Sequence, residues 1–279
     1  MTAAADRAPE TAGGRFARWL LTAWAVGGFV YLFVPIVVIV AFSFNDPAGK
    51  FNIIWDHFTL DNWAHPFSSE ALTDAMVTSL KIAAIASAAA TVLGGLIALA
   101  LARYRLRGGA LIEILLILPL TTPEIVLGAS LLSLFLDLNW QRGFGTVVIA
   151  HVLFCTSFVA LTIKARIRGF DWTLEDAAMD LGATPWRTFS RVTLPLITPG
   201  ILAAALLSFA LSIDDFIITF FNAGTTETFP LRIFGASRTE ISPQINVLAT
   251  MMLLASVALL LAGVLFRRRV EGRPITVAD

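Results

Sequence analysis

The sequence predicts an all-α, polytopic membrane protein with six transmembrane helices, and three observations carry that reading. The 279 residues are 57% hydrophobic and only 14% charged, against about 25% charged in an ordinary soluble domain. Mean hydropathy is +0.79. Six mostly apolar stretches, 19–44, 76–102, 110–136, 144–163, 197–221 and 246–266, meet the length of about 20 residues that a helix needs to cross a bilayer. The implied organisation is a tail over 1–18, a six-span domain over 19–266 with a long loop at 164–196, and a second tail over 267–279.

The first span is too long for a signal peptide, and no small-residue cleavage site precedes FSFNDPAGK, so it reads as an uncleaved anchor. Residues 1–14, rich in Ala, Thr and Pro, read as disordered. Lys and Arg set the orientation. Fifteen lie in the two tails and in the 103–109 and 164–196 loops, and four lie in the opposite loops. Both termini are therefore expected in the cytoplasm, with Lys81 snorkelling at a membrane edge. The 45–75 loop carries Trp55, Phe58, Trp63 and Phe67. These fit an aromatic belt at the headgroups, or a docking surface for an extracytoplasmic partner.

Several function classes are excluded or disfavoured. Formal net charge is zero, so no global field draws nucleic acid. Cys155 is the only cysteine, so no intrachain disulfide forms. His57, His65 and His151 show no metal-ligand spacing. No G-x-x-x-x-G-K-[ST] loop, H-E-x-x-H or G-x-S-x-G occurs, which argues against a nucleotide site or a membrane-embedded enzyme.

The 164–196 loop reads as two short helices with a sharp corner. Thr173 is expected to cap the first, with Asp176 completing a capping box. Leu174, Ala177, Ala178 and Leu181 share one face. Gly182 suits a left-handed position after the helix end. Thr184 and Pro185 begin the second helix, Trp186, Phe189 and Val192 recur on one side, and Pro195 and Pro199 are expected to close the unit. Such a pair lies on lipid headgroups, or is a rigid knob seated in a groove of another protein.

The string Asp176-Ala177-Ala178, Gly182, Val192, Leu194-Pro195 resembles the EAA signature of permease subunits in binding-protein-dependent ABC importers. Asp176 stands where that family usually has Glu, and Val192 where Ile is common. FTLDNW, PEIVLGASLL, SFALSIDDFIITFF and INVLATMMLL are similar to the spermidine/putrescine branch. The resemblance implies a type I importer permease in the bacterial inner membrane. Its Asp176, Ala177, Ala178, Gly182, Trp186, Phe189, Leu194 and Pro195 would form the coupling helix against an ATPase. It also implies two ATPase subunits that bind the ATP and Mg, so that this chain holds no cofactor and is not itself an enzyme. A second homologous permease and an extracytoplasmic binding protein would complete the system.

Asp214 and Asp215 stand inside the fifth apolar stretch, and Glu124 follows Pro119 and Pro123 in the third. A mid-membrane carboxylate costs about 2.5–3.5 kcal/mol on insertion scales, so such acids mark function or are paired. They are candidates for a cation pathway, in which carboxylates replace water around ammonium groups. The alternatives are pairing with a partner's Lys or Arg, or, for Asp215, contact with outer water. On a continuous helix adjacent side chains diverge by about 100°, so at most one of the two aspartates faces a path. Met251 and Met252 read as packing. A permease for another solute class and a stand-alone secondary transporter are the competing functions.

Overall fold

The computed structural model describes residues 12–104 and 106–271. Twelve α-helices and one π-helical turn, Phe189–Thr193, dominate it: α1 Ala12–Phe42, α2 Asp61–Ala64, α3 Glu70–Arg103, α4 Gly109–Thr121, α5 Glu124–Asp137, α6 Phe144–Ile167, α7 Thr173–Asp180, α8 Pro185–Thr188, α9 Leu194–Asp214, α10 Ile217–Asn222, α11 Phe229–Ala236 and α12 Pro243–Glu271. A two-residue hairpin, β1 Asn45–Asp46 with β2 His57–Phe58, is the sole sheet among the described residues. Four helical stretches are long and apolar enough to cross a membrane: 18–42, 70–103, 144–167 and 185–214. The expected third span is instead two helices, α4 and α5, bent by 108°. The sixth contains a shorter apolar helical segment, Pro243–Ala258. Helix begins at Ala12, so residues 12–14 are ordered in a helix and not disordered; residues 1–11 and 272–279, with the rest of both tails' expected features, lie outside the described residues.

The chain forms two compact units, one comprising the residues up to Pro66 with Ile241–Met251, the other Phe67–Glu240 with the residues from Met252. In the first, three buried asparagines organise the irregular chain after α1. Asn45 donates to Asn52 Oδ1 at 2.7 Å and to the Ile54 carbonyl at 2.9 Å, Asn52 donates to the Phe42 carbonyl, and Asn62 to the Asn45 carbonyl. The amide side chain can donate and accept at once, so each satisfies backbone that no regular element pairs. Phe44 stacks between Phe58 and Trp63, at 5.8 and 5.5 Å, and the Trp63 indole donates to Ser43. Two of the loop aromatics thus have packing partners inside the loop.

The second unit is built on α3, α6 and α9. The buried face of α3 is a stripe of small residues, Ala75, Ser79, Ala83, Ala86, Ala90, Gly94 and Ala98. Lipid is as apolar as leucine, so helices in a membrane associate through close van der Waals contact, which small residues permit. At Gly94 a Cβ would lie 2.8 Å from Val159 and 2.9 Å from the Ala160 nitrogen and Thr156 oxygen of α6. Val147, Ala150, Cys155, Val159 and Ile163 of α6 are all fully buried at this seam.

The 164–196 loop takes the cornered form expected, with two differences. Thr173 does not cap α7; it is the first helical residue, and Asp171 accepts from its N–H at 3.0 Å and its hydroxyl at 2.8 Å. Asp171, two residues back, reaches the free Thr173 amide that the expected Thr173–Asp176 box would have served. The end of α7 is as expected: Gly182 has φ +88, and the Gly182 and Ala183 amides donate to the Met179 and Ala178 carbonyls. Thr184 accepts from the Arg187 amide and Pro185 opens α8. Pro195 and Pro199 do not close the unit. Helix runs on through both, because the π-turn at 189–193 widens the ladder just where Pro195 lacks an N–H and would crowd the carbonyl four residues back.

Replacement of Gly94 by Leu is expected to cost about 1–3 kcal/mol through overpacking against backbone that cannot move aside, read as a lowered melting temperature in detergent. At Asp171 the two Thr173 bonds hold the carboxyl below its ordinary range. The bonds to the ionised form therefore favour α7 at all pH values above about 4 and are lost as pH falls through the lowered value. Protection factors of the amides over 171–177, corrected for the intrinsic pH dependence of exchange, should hold from pH 7 down to about 4 and fall only in stronger acid.

Candidate functional site

The first element of the site is the break between α4 and α5. Thr122 precedes Pro123, and a residue before proline is pushed out of the helical region; it adopts φ −77, ψ 131. Pro119 removes a further ladder bond one turn earlier. Thr122 and Thr121 hydroxyls also donate back to the Leu118 carbonyl, which already accepts from the Thr122 amide, so the helix end is held by several donors on one oxygen. Glu124 is thereby not mid-helix but the first residue of α5, exposed, at an end whose free amides and dipole favour negative charge.

The second element is a break in the expected fifth span. Helix α9 ends at Asp214, Asp215 is extended at ψ 122, and α10 starts at Ile217. The two aspartates therefore part company because the helix stops between them. Asp215 is buried and accepts from the Thr219 amide at 2.9 Å and the Thr219 hydroxyl at 3.0 Å, serving the free start of α10. Asp214, the last residue of α9, is exposed.

The two breaks are neighbours because α5 packs on α10. A Cβ on Gly128 would lie 2.9 Å from Phe221, and the Asn222 amide donates to the Gly128 carbonyl at 3.2 Å. The Asn222 carbonyl in turn accepts from Thr146 of α6 at 2.8 Å. Glu124, Asp214 and Asp215 come within electrostatic reach of one another. Among the described residues no ion pair ties Glu124 or Asp214 to a basic side chain. Carboxylates accept hydrogen bonds and cannot donate them, so an exposed group of this kind is suited to ammonium or guanidinium cations.

The third element is the corner at 171–195. Asp176 and Ala177 are exposed on α7, Ala178 and Phe189 half-buried, and Leu194 and Pro195 exposed at the start of α9. Leu181 is 91% and Trp186 75% exposed. A hollow of about 310 Å³ beside them is lined by Ala178, Gly182, Ala183, Arg187 and Val192 among others. The corner is fixed to the helical body by Glu175, which sequence reasoning passed over. Its carboxylate is 5% exposed, pairs with Arg103 at the end of α3 and accepts from Thr193 of the π-turn. Arg103 also lies 5.4 Å over the Trp172 ring. His151 was likewise set aside as one of three scattered histidines, yet it contacts Ser212, Thr219 and Asp215. The available signal was its position alone: a polar ring inside an apolar span needs buried partners.

Comparison with known proteins identifies the family. Residues 90–274 match the family model for the binding-protein-dependent transport system inner membrane component. The chain is 37% identical over 242 residues to the spermidine/putrescine transport system permease protein PotC of Haemophilus influenzae, covering 86% of this chain and 93% of the relative. It is 39% identical over 234 residues to the putrescine transport system permease protein PotI of Escherichia coli K12, covering 81% and 83%. Among solved structures, a bacterial ABC transporter that imports the acidic polysaccharide alginate shares the fold, with a TM-score of 0.65 at 15% identity over 90% of this chain and 96% of that one. The chain thus belongs to the inner membrane components of binding-protein-dependent transport systems, as an ABC importer permease subunit.

Proposed function

We propose that this permease subunit translocates a polyamine-type organic cation, with Glu124 and Asp214 as the acids that receive it and Asp215 bracing the break between them. The observation that carries the reading is the placement of two exposed carboxylates at adjacent helix breaks in otherwise apolar surroundings. A polyamine is a methylene chain punctuated by ammonium charges. An apolar route with acids at intervals matches it group for group, and the relatives' names point to the same solute class.

The 164–196 segment is the coupling element, and both termini are cytoplasmic. Leu181 and Trp186 are large apolar side chains exposed together at the corner, and Leu181 lines a hollow there. Seated in a cleft of a cytoplasmic ATPase, they would transmit its motion to α9, because α8, the π-turn and α9 form one helical rod ending at Asp214. Two ATPase subunits supply ATP and Mg²⁺, a second permease the other half of the path, and an extracytoplasmic binding protein the solute. Alternating access then follows from rocking of helical bundles around the acids.

In the assembled transporter, Asp214→Asn and Glu124→Gln are each expected to lower uptake of labelled putrescine or spermidine about tenfold or more while complex yield on size exclusion stays unchanged. Undiminished uptake by the double variant would refute the acid path. At the corner, Gly182→Val places a β-branched residue at φ +88, a strain of about 1–2 kcal/mol. Together with Trp186→Ala it should reduce co-purification of the ATPase subunits; full co-purification and normal stimulation of hydrolysis by both variants would remove the coupling role.

A further inference from the structure

One imidazole spans the break that separates the two aspartates. His151 of α6 is 2% exposed. Its Nδ1 lies 2.7 Å from Ser212 Oγ in the last turn of α9, and its Nε2 lies 2.9 Å from Thr219 Oγ1 on α10 and 3.4 Å from Asp215 Oδ1. Ser212 and Thr219 are 4% and 0% exposed, and Asp215 is 9% exposed. No other side chain among the described residues hydrogen-bonds to both sides of the break.

The direction of one bond follows by elimination. Asp215 Oδ1 already accepts from both the amide and the hydroxyl of Thr219. The Thr219 hydroxyl proton is therefore committed, and Nε2 meets only acceptors on its side, so Nε2 carries a proton and donates. Nδ1 and the Ser212 hydroxyl share the second bond, which either partner can donate. The ring thus links, in one chain of contacts, Ser212 on one side of the break to Thr219 and Asp215 on the other.

This chain joins two bodies that the backbone leaves loosely connected. On one side is the rod that begins at Pro185 and ends at Asp214. On the other is α10, packed through Gly128 and Asn222 onto the helix that starts with Glu124. The peptide between them, Asp215–Phe216, lies outside both α9 and α10.

We propose that His151 is a positioning residue for cation translocation: it clasps the end of α9 to the start of α10, so that displacement of the rod carries the acid-bearing break with it and Asp214 alone is presented to the cargo. The proposal rests on the reading of Asp214 as a path residue. It predicts a specific failure on loss of the ring, namely ATP hydrolysis without matching transport.

The test uses the complete transporter in proteoliposomes, with binding protein, partner permease and ATPase subunits, and putrescine and spermidine as probes. His151→Ala is expected to lower uptake Vmax about tenfold, with KM within about threefold of wild type and hydrolysis largely retained, so that cation moved per ATP falls. His151→Gln, which can still donate towards Thr219 and Asp215, is expected to restore most of the ratio. Thr219→Val interrupts the same chain at constant volume and should behave as His151→Ala does, which keeps the question open to measurement if the alanine variant fails to assemble. A wild-type ratio in the alanine and valine variants would overturn the clasp, as would equal losses in His151→Ala and His151→Gln, or a parallel fall of uptake and hydrolysis. Asp214→Asn assayed alongside separates the two ideas. Unimpaired uptake there overturns the acid path and the positioning role with it, whereas impaired Asp214→Asn with a normal His151→Ala overturns the clasp alone.

Discussion

In hydrocarbon every backbone amide and carbonyl must find a partner inside the protein, and the local structure of this chain follows from where that demand is relaxed. The α4–α5 junction interrupts the ladder at Thr122–Pro123 and the α9–α10 junction at Asp215–Phe216. At the first, threonine hydroxyls return to the Leu118 carbonyl. At the second, a carboxylate collects the amide and hydroxyl of Thr219. Irregular backbone at membrane depth is tolerated where it is buried in protein or faces a watery cavity; Asp215 and Thr219 are buried at the second break, while Glu124 and Asp214 are exposed. The acids are therefore not scattered through the spans. They mark the places where the helix has stopped.

The same constraint explains how a surface corner can be tied mechanically to those breaks. A proline at 195 would ordinarily end or kink a helix. The π-turn before it spreads the ladder and lets helix continue from Pro185 to Asp214. Below the turn, Glu175 pairs with Arg103 and accepts from Thr193, so the corner is bonded both to the rod and to the end of α3. Burying the Glu175 carboxylate is costly unless it is paired and hydrogen-bonded, and Arg103, itself partly in solvent, and Thr193 supply that pairing. A stiff rod with a bonded foot transmits displacement; a flexible loop in its place would absorb it.

Much of this was legible in the sequence because it depends on local chemistry. Gly182 and Thr184 could be assigned from their neighbours alone, and the apolar lengths located the four long helices, though not the bend in the third stretch or the break in the fifth. The Thr173 cap was misplaced because Asp171, two residues back, takes the Thr173 amide instead. The run through Pro195 and Pro199 was not legible, since a π-turn has no sequence signature that distinguishes it from a helix end. Nor were Glu175 and His151. Their partners, Arg103, Thr193, Ser212 and Thr219, lie between 18 and 72 residues away in sequence, and nothing in a single chain says which distant polar groups will meet. Glu124 stands beside its prolines near the middle of the expected third span, as read, but the size of the bend there, 108°, is a property of packing and not of the Pro-Leu-Thr-Thr-Pro sequence alone.

The two adjacent aspartates can now be weighed separately. Asp215 offsets its burial with two hydrogen bonds to the charged form, each worth about 1.5–3 kcal/mol, and with the nearby imidazole. That sum matches or exceeds the insertion cost of about 2.5–3.5 kcal/mol for a carboxylate at mid-membrane. Asp214 is compensated less: it has a hydrogen bond with its own backbone amide, but it ends α9, where the dipole opposes negative charge, and among the described residues no ion pair reaches it. A charge held at unfavourable potential and left exposed gains most from what arrives from outside the chain, water or a cation. Asp215 serves the break; Asp214 is the less satisfied of the two, and that difference is the physical ground on which Asp214, and not Asp215, is proposed to meet a passing ammonium group.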